Sequence, residues 1–135
     1  MLLMLRPLKH YADFAGRSRA AEIWSFQLGQ LIVVATVYAL FAALVGFEQG
    51  AGTGRPVFAF QVLMALLAVF LLGTLIPLVA IQVRRFHDQA MSGWFLLLGF
   101  IPYLGSLILL VFLCRPGTKG PNRYGPDPRD ELTRS

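Results

Sequence analysis

The chain has 135 residues, of which 56% are hydrophobic and only 14% charged, with a mean hydropathy of +0.63. A soluble domain carries about a quarter charged residues, so this composition argues against one and for a chain embedded in a membrane. The formal net charge is +5. In a membrane chain such an excess reads as basic flanks meeting anionic headgroups, and not as nucleic-acid binding.

Residues 1–22 form an amphipathic flank, with Tyr11, Phe14 and Ile23 set against Asp13, Arg17, Arg19 and Glu22. Gly16 and Ser18 predict a turn, with Ser18 as the N-cap of a helix starting near Arg19. Arg19 and Glu22 are then one turn apart and can pair, for about 0.3 kcal/mol. The first apolar run begins late, after Asp13 and Glu22, so a cleavable signal peptide is not expected. Trp24 and Phe26 stand where aromatic belts occur.

Span 1 is predicted over residues 24–47. Ala35, Ala39 and Ala43 form a smooth stripe along it and predict a packing seam. Gln27 and Gln30 are expected to face protein or headgroups. Residues 48–56 are a flexible glycine-rich connector. They resemble no phosphate-binding loop, because no strand precedes them and no Gly-Lys-Ser/Thr ends them.

Span 2 is predicted over residues 57–83. It would measure about 40 Å as helix, more than a ~30 Å hydrocarbon core needs. Pro77 is expected to kink it, and its end, 82–88, to leave the bilayer as helix. A basic loop, 84–93, follows. The third apolar segment, 94–114, is interrupted at its centre by Gly99, Pro102 and Gly105. The Pro/Gly-rich tail, 115–135, has too few apolar residues to fold alone, and is expected to lie against the other cytoplasmic loops.

Topology turns on that third segment. Arg6, Lys9, Arg17 and Arg19 precede span 1, Arg55 is in the first loop, and Arg84 and Arg85 are in the second. Arg115, Lys119, Arg123, Arg129 and Arg134 are in the tail. Three full crossings leave the basic residues evenly divided. A re-entrant hairpin turning at Pro102 places all but Arg55 on one side, which favours both termini in the cytoplasm. A hairpin turn must be shielded from lipid by protein, so a kinked full span stays open beside it. The fold class is thus an all-α integral membrane protein in a single membrane domain. It has an amphipathic N-terminal segment, two transmembrane helices and a third Pro/Gly-broken segment, either re-entrant hairpin or kinked span.

Three motifs resemble a known family. They are Asp13-Phe14-Ala15-Gly16-Arg17-Ser18-Arg19 with Glu22 and Trp24; then Arg84-Arg85-Phe86-His87-Asp88 with Ser92-Gly93-Trp94; and last Pro116-Gly117-Thr118, Gly120-Pro121-Asn122-Arg123-Tyr124-Gly125 and Pro126-Asp127-Pro128. Together they resemble the domain-of-unknown-function 805 (DUF805) family, the YhaH-like small inner-membrane proteins of bacteria, over nearly the whole chain. Mild departures are Phe86 for a usual leucine, Ala21 for a frequent basic residue, and a single Trp94 for a common tryptophan pair. The resemblance implies a bacterial inner-membrane location, and it supplies no activity and no catalytic residue.

The candidate polar cluster comprises Asp13, Arg17, Arg19, Glu22, Arg84, Arg85, His87, Asp88 and Asp127. On a helix, Asp88 can pair with Arg84 or Arg85. The functional reading is binding of a lipid headgroup, a phosphate or a partner carboxylate. The bland reading is a membrane stop in which basic residues anchor the helix end. If the tail returns to the same side, the three motifs meet in one charge network with the tail across it. No catalytic arrangement, cofactor site or metal-ligand spacing is seen. The single Cys114 allows neither an internal disulfide nor a thiolate metal cluster. The apolar segments lack ionisable residues, which argues against ion-coupled transport. The expected function is a non-enzymatic protein binding anionic lipid or a protein partner through a basic cytoplasmic face. The alternative is an oligomeric small-solute channel, with Gln61 and Thr74 lining the path.

Overall fold

The computed structural model describes residues 6–51 and 57–130. Most of the glycine-rich connector, the first five residues and the last five, with Arg134, lie outside them. Among the described residues the fold is helical: α1 (Arg6–Lys9), α2 (Ala20–Ala51), α3 (Val57–Asp88), a 3-10 helix (Gly93–Phe100) and α4 (Leu104–Cys114). Both α2 and α3 are long and apolar enough to cross a membrane. The chain divides into two compact units, one of residues 27–75 and one of residues 1–26 with 76–135.

Two expectations at helix ends are corrected. Helix α2 continues to Ala51, into the stretch read as flexible connector. Helix α3 continues to Asp88, as expected for 82–88, so the part of the basic loop 84–93 that holds Arg84 and Arg85 is helical. Pro77 lies inside α3, fully buried, with helix on both sides.

In the unit of residues 27–75, polar groups satisfy one another. Gln30 Nε2 donates to Thr74 Oγ1 at 2.8 Å, and Thr74 Oγ1 donates to the Phe70 carbonyl at 2.9 Å. Thr74 is buried by this arrangement, whereas Gln61 is exposed. The rings of Phe41 and Phe60 meet at 4.9 Å. The alanine stripe does not form the expected seam within the chain: Ala35, Ala39 and Ala43 are all exposed.

The other unit is built around the end of α3. Ile23, Ile81 and Leu113 form its core. Phe86 is fully buried, with Phe112 at 6.1 Å and Phe95 at 6.3 Å; taking one phenylalanine side chain out of water contributes about 2 kcal/mol. Helix α3 is closed off just past its end by Ala90, whose φ of 58° is left-handed. The Ala90 N–H donates to the His87 carbonyl at 3.0 Å, and the Met91 N–H to the Phe86 carbonyl at 2.9 Å. This paired closure is the Schellman motif, here with alanine where glycine is the usual residue.

The third apolar segment is two helical arms. Ser92 caps the 3-10 arm by accepting the Trp94 N–H at 3.4 Å. The arm ends at Ile101 and the chain turns through Pro102 and Tyr103; Tyr103 has φ 61° and is 97% exposed. Two glycines let the arms close. A Cβ on Gly105 would lie 2.4 Å from the Leu98 carbonyl oxygen, and one on Gly99 would lie 2.6 Å from the Leu109 side chain. Eight residues at about 2.0 Å each and eleven at about 1.5 Å each give arms of roughly equal length, about 16 Å. The far end of α4 is held at α3, where Gln89 donates to the Phe112 carbonyl and Arg85 to the Leu113 and Arg115 carbonyls.

Candidate functional site

The site forms where the Arg17 turn, the last turn of α3 and the tail meet. Asp88 is at its centre, with a side chain 2% exposed. An isolated buried carboxylate is costly, so it must be paired. Arg17 meets Oδ1 through Nε at 3.0 Å and Nη2 at 2.9 Å. Arg85 meets Oδ2 through Nη1 at 2.5 Å. Both guanidinium groups are as buried as their partner.

The rest of each guanidinium is spent on backbone carbonyls. Arg17 donates to Gly120 at 2.7 Å and Thr118 at 2.6 Å, with a longer bond to Gly125 at 3.4 Å. Its planar fork reaches several acceptors at once, which a lysine cannot do. Arg85 bonds the last carbonyls of α4, where the helix leaves acceptors unsatisfied and its dipole favours a cation.

The tail is pinned from its own side as well. The Asp88 carbonyl accepts the Thr118 N–H at 2.9 Å and the Thr118 hydroxyl at 3.0 Å. Asn122 Nδ2 donates to the His87 carbonyl at 2.9 Å. The Tyr124 ring stacks on His87 with centroids 3.9 Å apart and planes within 4°, and His87 Nδ1 donates to the Gly16 carbonyl at 3.3 Å. Gly117 is required by closeness: a Cβ there would sit 1.9 Å from Asp88 Oδ2. Asp127 folds the tail on itself, accepting the Gly120 N–H and the Arg129 N–H, both at 3.0 Å. These bonds, led by that from Arg129, hold its carboxyl below the usual carboxylate range.

The structure therefore brings Arg17, Arg85, His87 and Asp88 together, with Asp127 closing the tail turn above them. Arg19 pairs with Glu22 at 3.4 Å on the first turn of α2. Arg84 is buried, and its carbonyl accepts the Ser18 N–H at 3.2 Å. Asp13 makes only local bonds among those resolved, to His10 at 3.5 Å and the Ala15 N–H at 3.0 Å. Ser18 is not used as an N-cap: it is fully buried and its hydroxyl donates to the Ile81 carbonyl at 3.1 Å, so the flank is tied to α3. Thr118, Asn122 and Tyr124 belong to the closing motif but were not placed in the polar cluster by sequence. Their signal was the Asn and Gly spacing of the tail, which marks turns without naming a partner. Among the described residues, no three His, Cys, Asp or Glu side chains converge as metal ligands.

Two cavities adjoin this cluster. One, of about 220 Å³, is lined by Arg17, Glu22, Arg84 and Tyr124 among others. The second, of about 450 Å³, is a mainly apolar groove beside His87 and Tyr124. Among the described residues of the tail, the exposed charged side chains are Arg115, Lys119, Arg123 and Arg129, with one carboxylate, Asp130, beside them.

The sequence profile of the family described as "Protein of unknown function (DUF805)" matches residues 11–126. The chain is 40% identical to the inner membrane protein YhaI of Escherichia coli K12 over 125 residues, covering 93% of each chain. It is also 40% identical to the inner membrane protein YhaH of the same strain over 127 residues, covering 94% of this chain and 96% of that protein. No solved structure matches the chain.

Proposed function

Because this chain belongs to the DUF805 family, with inner membrane proteins as relatives, we propose that it is a non-enzymatic protein of the bacterial inner membrane whose tail is a basic platform for anionic headgroups. One observation carries this reading: the buried and exposed arginines have different work. Arg17 and Arg85 are consumed by Asp88 and by backbone carbonyls. Among the described residues of the tail, Arg115, Lys119, Arg123 and Arg129 are exposed, with Arg129 also 4.0 Å from Asp127. A Lys or Arg close to an anionic surface contributes about 1 kcal/mol.

In this reading α2 and α3 cross the bilayer and the two-armed segment is re-entrant. Arms of about 16 Å reach roughly halfway through a ~30 Å core. The tail then returns to the side of Arg17 and Arg85, and the basic residues fall eleven to one in favour of a cytoplasmic face. Loss of a bound lipid on replacing Arg85 would report a broken clasp, not a lost ligand contact.

The test is thermal unfolding in nanodiscs of phosphatidylglycerol against nanodiscs of phosphatidylcholine. The wild type should melt higher in the anionic lipid. Replacing Arg115, Lys119, Arg123 and Arg129 together by Gln should remove the difference, as should high salt. Equal melting of the wild type in the two lipids refutes the platform. Topology reporters fused after Ser135 check the orientation, and a periplasmic tail would refute it.

A further inference from the structure

The 450 Å³ groove has the polarity profile of one lipid molecule. Its apolar wall is Val83 on α3 facing Trp94, Leu96 and Leu97 on the 3-10 arm. Its polar end is formed by His87 and Tyr124. Gly93 lets the arm approach, since a Cβ there would lie 2.7 Å from the Val83 side chain. At the polar end, Arg123 lies over the Tyr124 ring at 4.7 Å and donates to the Ala90 carbonyl at 3.2 Å. It is exposed, so donors remain for a ligand. No carboxylate lines the groove among the described residues. The volume falls in the range of ligand pockets, which are mainly apolar with a few placed polar groups.

We propose that this groove holds one anionic phospholipid, with an acyl chain along Trp94, Leu96 and Leu97 and the phosphate at Arg123. Charge complementarity chooses the occupant. The apolar wall alone would accept any chain, whereas the cation at its polar end selects a net negative headgroup over a zwitterionic one. A second copy docked symmetrically through this groove would bring Arg123 towards the same cationic tail. The site deepens the platform reading and rests on it, by naming one built position within that surface.

Trp94 lines the groove and gives the assay. The chain has two tryptophans, and Trp24→Phe leaves Trp94 as sole reporter. Acyl chains carrying bromine quench tryptophan at close range. Trp24→Phe protein is placed in bilayers containing brominated phosphatidylglycerol or brominated phosphatidylcholine at equal mole fraction. The expected result is an approximately fivefold preference for the anionic lipid at Trp94, the equivalent of about 1 kcal/mol from one cation. Arg123→Gln should abolish the preference.

Equal quenching by both lipids overturns the site, leaving ordinary surrounding lipid. Quenching by neither also overturns it, since no acyl chain then lies against Trp94. A preference that survives Arg123→Gln overturns the assigned headgroup contact. If the site fails while the wild type still melts higher in phosphatidylglycerol, the groove is refuted and the platform stands. If that melting difference is also absent, both fall.

Discussion

Replacing Asp88 by Ala removes the one acceptor shared by two buried arginines. The bonds lost are those from Arg17 at 2.9 and 3.0 Å and from Arg85 at 2.5 Å. Breaking a buried ion pair by deleting one partner costs about 3–5 kcal/mol. Here the low end applies, because Arg17 keeps the Thr118 and Gly120 carbonyls and Arg85 keeps two at the end of α4. About 3 kcal/mol raises the population with the tail released roughly a hundredfold. Limited trypsin digestion in detergent reads that population at Lys119 and Arg123, provided that opening and closing outpace cleavage. Asp88→Ala should be cut about a hundredfold faster than wild type at these bonds. Asp13→Ala, which loses only exposed local contacts, should change the rate little. Arg17→Lys should fall between, since an ammonium cannot serve a carboxylate and two carbonyls in one plane. Asp88→Ala cut at the wild-type rate would refute the clasp.

Two further outcomes follow from local geometry. Ala90 closes α3 at φ 58°, a conformation that costs an L-residue with a Cβ roughly 1 kcal/mol relative to glycine. Ala90→Gly should therefore raise the melting temperature, and an unchanged or lower value would show that the alanine methyl is needed for packing. The lowered folded pKa of Asp127, set first by the Arg129 N–H bond, makes its contribution fully present above the ordinary carboxylate range. That contribution is lost as pH falls through its depressed folded value. Hydrogen exchange of the Gly120 amide, which donates to Asp127, should accelerate relative to the intrinsic rate on acidification through that range. Asp127→Asn should remove this pH dependence.

The two long helices and the broken third segment were legible because uncharged length and Pro102 are local signals. The pairing of Arg85 with Asp88 was legible as a helical i, i+3 relation. Arg17 was expected in a charge network with Asp88, but its reach to Gly120 was not legible: that acceptor lies 103 residues on and is a backbone atom, which every residue has and which no pattern marks. Ser18 misled for a related reason. A serine before a helix signals an N-cap, but packing against α3 offered the Ile81 carbonyl, and burial favoured that bond. The alanine stripe faces outward in this chain: spacing shows that a face is smooth without showing what covers it.

The 3-10 winding of the arm over Gly93–Phe100 stores length. Runs of this helix beyond three or four residues are uncommon. Rewound as α, the same eight residues would span about 12 Å in place of about 16 Å. The opposite arm is already α-helical and its end is fastened by Arg85 and Gln89. A switch in winding would therefore draw the Tyr103 tip back by about one helical residue pair on one side only, tilting the hairpin without releasing the tail. In the re-entrant reading proposed above, that change of winding would let the segment follow a bilayer that thins or thickens by a few ångströms, taking up the slack in its own backbone.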